Sequence, residues 1–259
     1  MPKPTSVSII TCWYGKQSLE YFSFLFQCSF KNRAINFVFL LFTQICISQT
    51  IEVNQLLIEG EKAFAENNFL LAKEIYTKAT NLGLKNKDCW FNLAVSELNL
   101  KENDNACEHF YQAYLLNDGE AFDVIKKNCP NLRNGSIMSV NDVEEKPKFI
   151  YKGEKDLLIE GNNLNPKYTK LLIRRFQSSR IMSKYGGSVS IQFQINDSDG
   201  LDISKLIVRG NTDKPEMLEK EVLSILNNLV VYVSAKNNGI SVGLLEKYFF
   251  TINFIMKPY

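Results

Sequence analysis

Histidine is almost missing from this chain: among 259 residues there is one, His109. A His-centred triad or a multi-His metal site would have to be built around that single imidazole, which argues against enzymes of those kinds. An excess of charge is missing too. Lys and Arg number 30 and Asp and Glu 28, a formal charge of +2, so no whole-protein field points to nucleic acid or to an anionic membrane surface. Proline is scarce, at 7 residues, too few for a long stiff arm. The apolar run Ile35 to Ile47 falls short of the roughly 20 residues that a bilayer-spanning helix needs. What is present is ordinary for folded protein: 45% apolar and 22% charged residues, in a length that accommodates two domains with cores of their own.

Residues 1–48 read differently from the rest. Lys31 and Arg33 precede the apolar run, and Cys46-Ile47-Ser48 then Gln49-Thr50 follow it. A cationic flank, a short apolar stretch and small residues at the −3 and −1 positions describe a secretory signal cut after about Ser48, the alternative being a buried core helix. The stretch ahead of Lys31 is long for such a signal and carries a second apolar patch, Tyr21 to Phe30. Two readings follow: a start placed too far upstream, which is preferred, or an uncleaved N-terminal anchor. Removal of residues 1–48 would leave Cys89, Cys107 and Cys129. An odd count in an oxidising compartment means one pair and one spare thiol, or no pair.

A shift of about 34 residues superimposes the chain on itself. Leu56 falls on Trp90, Gly60 on Ala94, Ala72 on Ala106, Tyr76 on Phe110 and Ala79 on Ala113. Small residues let two antiparallel helices approach, and the aromatic fills the gap between successive units. Asn67-Asn68 and Glu102-Asn103-Asp104 supply turns inside the units, Leu84 to Asp88 links them, and a further helix from Gly119 to Asn128 caps the second unit ahead of Pro130. These residues, with Trp90, Leu93 and Ala94 opening the better copy, resemble the tetratricopeptide (TPR) repeat over residues 52–118. The resemblance implies either a groove for a peptide or partner helix, or a helical spacer or oligomerisation surface. The segment containing Cys107 and Ala121 to Cys129 also resembles TPR units of exported proteins. For Cys107 and Cys129 a disulfide between neighbouring helices and two buried thiols both stand open; Cys89 beside Trp90 reads as core.

Residues 131–148 lack periodicity and read as a linker. Beyond them, Pro166 to Met182 has helical spacing with Gly186-Gly187 as its end. Val189, Ile191, Phe193 and Ile195 then alternate with Ser190, Gln192, Gln194 and Asn196, which predicts a strand with one wet face. Asp197 to Gly200 turns the chain into a second strand, Ile203 to Arg209. A helix starts at Pro215, Val230 to Val233 is a short strand, Asn237-Asn238-Gly239 a turn and Tyr248 to Met256 the last strand. Antiparallel strands with helices packed on one face are expected.

The text Gly187-Ser188-Val189-Ser190-Ile191-Gln192-Phe193-Gln194-Ile195, then Asp199-Gly200, Val208-Arg209-Gly210, Leu218-Glu219-Lys220-Glu221, Lys236-Asn237-Asn238-Gly239 and Ile252-Asn253-Phe254 resembles the C-terminal domain of TonB energy transducers in order and spacing. Glu145 to Phe149 resembles that family's lead-in, while Phe176-Gln177 and Ser234-Ala235 stand where it has Tyr-Pro and Pro-Gly. The resemblance implies that a short extended peptide of an outer-membrane transporter is gripped by strand addition. The edge concerned is Tyr248 to Met256, with Phe250, Thr251, Ile252, Asn253 and Phe254 as the partner-binding residues. On the bland reading Phe250, Ile252 and Phe254 face the core.

The remaining candidates have simpler explanations. His109 sits in no motif, Asn196 to Gly200 lacks the acidic residue that a calcium loop needs at its twelfth position, where Ile207 falls, and Gly186-Gly187 precedes a strand rather than a phosphate-binding helix. Lys170, Arg174, Arg175 and Arg180 form a basic helix face, either solvated or attractive to an acidic partner. The expectation is a multidomain α+β chain: a signal or anchor with upstream extension over 1–48, an all-α unit of TPR-like hairpins over 50–130, a linker over 131–148, and a TonB C-terminal-like α+β domain with a small antiparallel sheet over 149–259. Its expected role is non-enzymatic, without metal or cofactor, binding protein partners in the periplasm or cell envelope and touching membrane only through a retained N-terminal segment. The second reading is a divergent energy transducer held in the inner membrane by that segment.

Overall fold

The computed structural model describes residues 50–212 and 214–254. The expected export signal and the last residues of the final predicted strand lie outside these. The chain is mixed α and β, helical first and β-rich afterwards, and it divides into two compact units after Cys129. Among the described residues no helix is long and apolar enough to cross a membrane.

The first unit runs through α1 (residues 50–65), α2 (Phe69–Leu82), α3 (Lys87–Asn99), α4 (Asn103–Leu115) and α5 (Gly119–Asn128). Short connections fold each helix back on the one before it. α1, α3 and α4 end in the same way. Asn67, Lys101 and Asn117 take positive φ of 58°, 66° and 66°. In each case this residue's N–H bonds the carbonyl three back, and the next N–H reaches five back: Asn68 to Ala63, Glu102 to Glu97, Asp118 to Ala113. These paired bonds satisfy carbonyls that the helix itself leaves open and reverse the chain. Asn68, Asn86 and Asp118 then cap the following helices through their side-chain oxygens.

Positions that coincide under the sequence shift are buried alike. Ala72, Ala79, Ala94, Ala106 and Ala113 are fully enclosed, as are Tyr76 and Phe110. At Gly60 a Cβ would lie 2.5 Å from the Tyr76 ring, so glycine is what admits the aromatic there. Cys107 and Cys129 are joined in a disulfide with Cα atoms 5.7 Å apart, fastening α5 to α4. Cys89 is a free buried thiol whose pKa burial raises to about 12. His109 Nδ1 lies 2.7 Å from the buried Glu97 carboxylate, and its ring packs 5.4 Å from Trp90.

The second unit opens with a 3-10 turn (Leu132–Gly135) and continues as β1 (Ile137–Met138), β2 (Lys148–Tyr151), β3 (Glu154–Leu157), β4 (Ile159–Glu160), β5 (Asn163–Leu164), α6 (Pro166–Ser178), α7 (Arg180–Tyr185), β6 (Gly187–Ile195), β7 (Leu201–Gly210), α8 (Pro215–Asn228), β8 (Val231–Val233), β9 (Ala235–Asn237), β10 (Ile240–Leu244) and β11 (Tyr248–Phe254). Its sheets are β11-β6-β7, β1-β10-β9, β3-β2-β8 and the pair β4-β5. One core joins them: Phe149, Tyr168, Leu172, Phe176, the inward residues of β6 and β11, and Val222, Ile225 and Leu226 of α8. Tyr168 donates to Tyr232, whose own hydroxyl donates to the Leu226 carbonyl, so two buried phenols are satisfied in series.

Two expectations about element boundaries need correction. Residues 131–148 are part of the second unit rather than a linker. β1 pairs in parallel with β10, Val140 is buried in the core, Glu145 bridges Lys236, and Lys148 already belongs to a strand. Two of its polar side chains make tertiary bonds: Ser139 Oγ donates to Glu246, and Glu144 accepts from Asn238 N–H. The helix expected over Pro166 to Met182 is two helices, because Ser179 adopts extended φ/ψ (−68°, 127°). Its hydroxyl accepts from Met182 N–H and donates to Glu221, so it both ends α6 and caps α7.

Candidate functional site

β11 owes its form to strict alternation. Tyr248, Phe250, Ile252 and Phe254 are buried and Phe249, Thr251 and Asn253 are exposed. It runs antiparallel to β6 along its whole length, from Tyr248 opposite Phe193 to Phe254 opposite Gly187. β6 uses its other side for β7, so β11 is an edge strand. On the side away from β6 no strand among the described residues pairs with it. Alternate main-chain N–H and C=O groups of an edge strand point outward, the arrangement that accepts another strand.

The residues singled out from the sequence fall on both faces of this strand. Phe250, Ile252 and Phe254 lie in the core at 7%, 6% and 3% exposure, with Phe250 stacked 6.4 Å from Phe176 of α6. Their side chains anchor the strand and are not available to a partner. Thr251 and Asn253 face outward, and Thr251 shares a 3.1 Å hydrogen bond with Ser190 on β6. The alternation also exposes Phe249, at 63% the only aromatic among the large exposed apolar residues of the described chain. It lies on the expected edge but outside the partner-binding residues named from the sequence, although the alternation that buries Phe250 also exposes it.

The open face of the sheet is organised in cross-strand rows. Phe249, Gln192 and Lys205 form one; Thr251, Ser190 and Ile207 the next; Asn253, Ser188 and Arg209 the last. Beyond the last row an open depression of about 640 Å³ is lined by Gly187, Arg209, Gly210 and Asn253 among others. Gly187 is required here: its φ is +137° and a Cβ would meet the Arg209 carbonyl oxygen at 1.8 Å.

The chain enters β11 under tight control. Gln194, expected on a wet face, is buried and donates to the carbonyls of Leu244 and Leu245 at 3.3 and 3.0 Å. Glu246 accepts from Ser139 Oγ at 2.6 Å and from Val140 N–H at 2.9 Å. Lys247 follows, its amine pushed down to about 8 by burial. In the turn that follows β6, Asp199 accepts from the N–H and hydroxyl of Ser234, and these bonds hold its carboxyl below the usual range. Hydrogen bonds thus fix the register of the strand before its exposed edge begins. Compared with known proteins, the chain matches no family model, no curated protein and no solved structure.

Proposed function

We propose that this chain is a non-enzymatic protein-binding module of the cell envelope that takes up an extended peptide by adding it to β11. The observation that carries the proposal is the place of β11 at the edge of its sheet, beside a single partner strand. Main-chain hydrogen bonds along such an edge supply affinity, and the outward residues Phe249, Thr251 and Asn253 supply selectivity. The sequence resemblance to TonB C-terminal domains supports the same edge and names the partner class, the extended peptide of an outer-membrane transporter. The resemblance of the helical unit to TPR repeats supports a scaffold role. The Cys107–Cys129 disulfide is compatible with an oxidising compartment and so with export.

The test places a photo-crosslinking amino acid singly at Phe249, Thr251 and Asn253 in cells that make the protein, with Ser204 on β7 as control. Crosslinks from the β11 positions to one short stretch of an outer-membrane transporter, stepping along it in a fixed direction, are expected. Crosslinks that scatter over folded surfaces, or that are as strong from Ser204, would exclude strand addition at this edge.

A further inference from the structure

Away from β11, the second unit has a cleft of about 260 Å³ between the β2–β3 hairpin and α6. Tyr151, Lys152 and Glu154 line it from the hairpin, and Lys167, Lys170, Leu171 and Arg174 from the helix. The hairpin tip is a tight turn with positive φ at both Lys152 (53°) and Gly153 (85°), the form whose twist suits a two-residue connection. That turn sets Lys152 Nζ 5.5 Å from the centre of the Tyr151 ring. On the helix, Lys170 and Arg174 stand one turn apart.

The charges in this cleft do not cancel. Lys167 takes both nearby acids, Glu154 at 3.0 Å and Asp156 at 2.6 Å. Lys152, Lys170 and Arg174 have no acidic partner among the described residues. Three cations thus converge on a recess whose apolar surface comes from Leu171 and the Tyr151 ring. A merely solvated helix face would spread its charges outward; here the basic residues line a concavity with elements from two sides.

We propose that this cleft binds a pair of carboxylates, offered by the acidic side chains of a polypeptide or by a small dicarboxylic acid. The guanidinium of Arg174 matches a planar carboxylate with two parallel hydrogen bonds, and Lys170 and Lys152 act as point charges for the second. The methylenes between the two acids lie against Leu171 and Tyr151. A phosphate would gain nothing from that apolar wall.

The experiment titrates the full chain, isotope-labelled for NMR, with a blocked tetraglutamate peptide, with succinate and with inorganic phosphate. Saturable shifts at the amides of Lys152 and Leu171 are expected with at least one carboxylate probe. A Lys170→Gln, Arg174→Gln double variant should weaken that binding at least tenfold, while Arg175→Gln leaves it unchanged. Tighter binding of the peptide identifies a polypeptide source, and equal or tighter binding of succinate identifies a small acid; either outcome supports the site. No saturable shift with either carboxylate probe overturns it. So does phosphate binding as tightly as the carboxylates, or an equal loss in Arg175→Gln, which marks diffuse charge attraction. Both Lys170 and Arg174 are exposed, and an unchanged thermal midpoint of the double variant separates lost binding from lost folding.

Discussion

In the helical unit the group that secures a helix lies one hairpin away: α5 is fastened to α4 by Cys107–Cys129, and Gly60 on α1 makes room for Tyr76 on α2. In the sheet unit the securing groups are far apart in the chain. Ser139 and Val140 are held by Glu246, β1 pairs with β10, and β2 pairs with β8. The first unit can therefore assemble turn by turn from neighbouring contacts. The second must close long loops before its central bonds form, which costs chain entropy and slows folding. The difference also bears on binding, because the exposed edge of β11 belongs to the unit in which register is set by distant clamps.

The largest effect should come from breaking the sheet unit alone. Gly187→Ala puts a methyl into the Arg209 carbonyl at the first pair of the β6–β7 ladder, opposite the end of β11. A loss on the order of 3 kcal/mol is expected. Hydrogen exchange should show faster opening of β6 and β11 while the amides of α3 and α4 keep their protection. Equal loosening of both units would dissolve the distinction drawn between them.

Breaking the helical unit alone requires only its cross-link. Replacing Cys107 and Cys129 by serine opens a loop with a sequence separation of 22, worth about 3 kcal/mol in the chain-entropy account. Denaturation of the double variant should lower the transition of the helical unit, with α5 losing exchange protection first. Peptide capture at β11 should be unaffected.

How far each unit could be read from the sequence follows the same division. The extent of α5, the β6–β7 hairpin and α8 were legible because their signals are local: Pro130 just past Asn128, alternation around Asp197 to Gly200, and Pro215 at a helix start. The edge strand was legible from alternation too. Residues 131–148 were not, since nothing near Glu145 in the sequence announces Lys236 as its ladder partner. Gln194 fits an outward position by period, and only the distant carbonyls of Leu244 and Leu245 explain its burial. The break at Ser179 likewise depends on Glu221, which local helical periodicity cannot reveal. Of the proposed partner site, the strand and its two faces were legible from alternation, whereas its place beside a single partner strand rests on long-range pairing with β6 that no local signal gives.

A pH titration sharpens the contrast at the entrance to β11. Lys247 has a folded-state value of about 8 against 10.5 for the free side chain, because burial disfavours its charged form. Between these values the unfolded chain binds more protons at this site than the folded one, so the contribution of this lysine to stability should rise with pH across about 8 to 10.5 and be flat below. Lys247→Met should remove that rise. A slope that persists in the variant would assign it to another group.

The smallest effect probes the helical unit at a purely local feature. Lys101 holds φ of 66° at the end of α3, a conformation that strains a residue with a Cβ but costs glycine little. Its N–H bonds Leu98, and that of Glu102 bonds Glu97, so the main chain is fixed whatever side chain stands there. Lys101→Gly should raise stability by about 0.5 to 1 kcal/mol. Lys101→Val should lower it, since a β-branched residue tolerates positive φ least. Both changes should leave β11 protection as it was, because this turn is closed by bonds within its own hairpin. Thermal melts of the two variants measure the opposite shifts. A change of the same sign in both would mean that the lysine side chain, rather than the backbone, governs the turn.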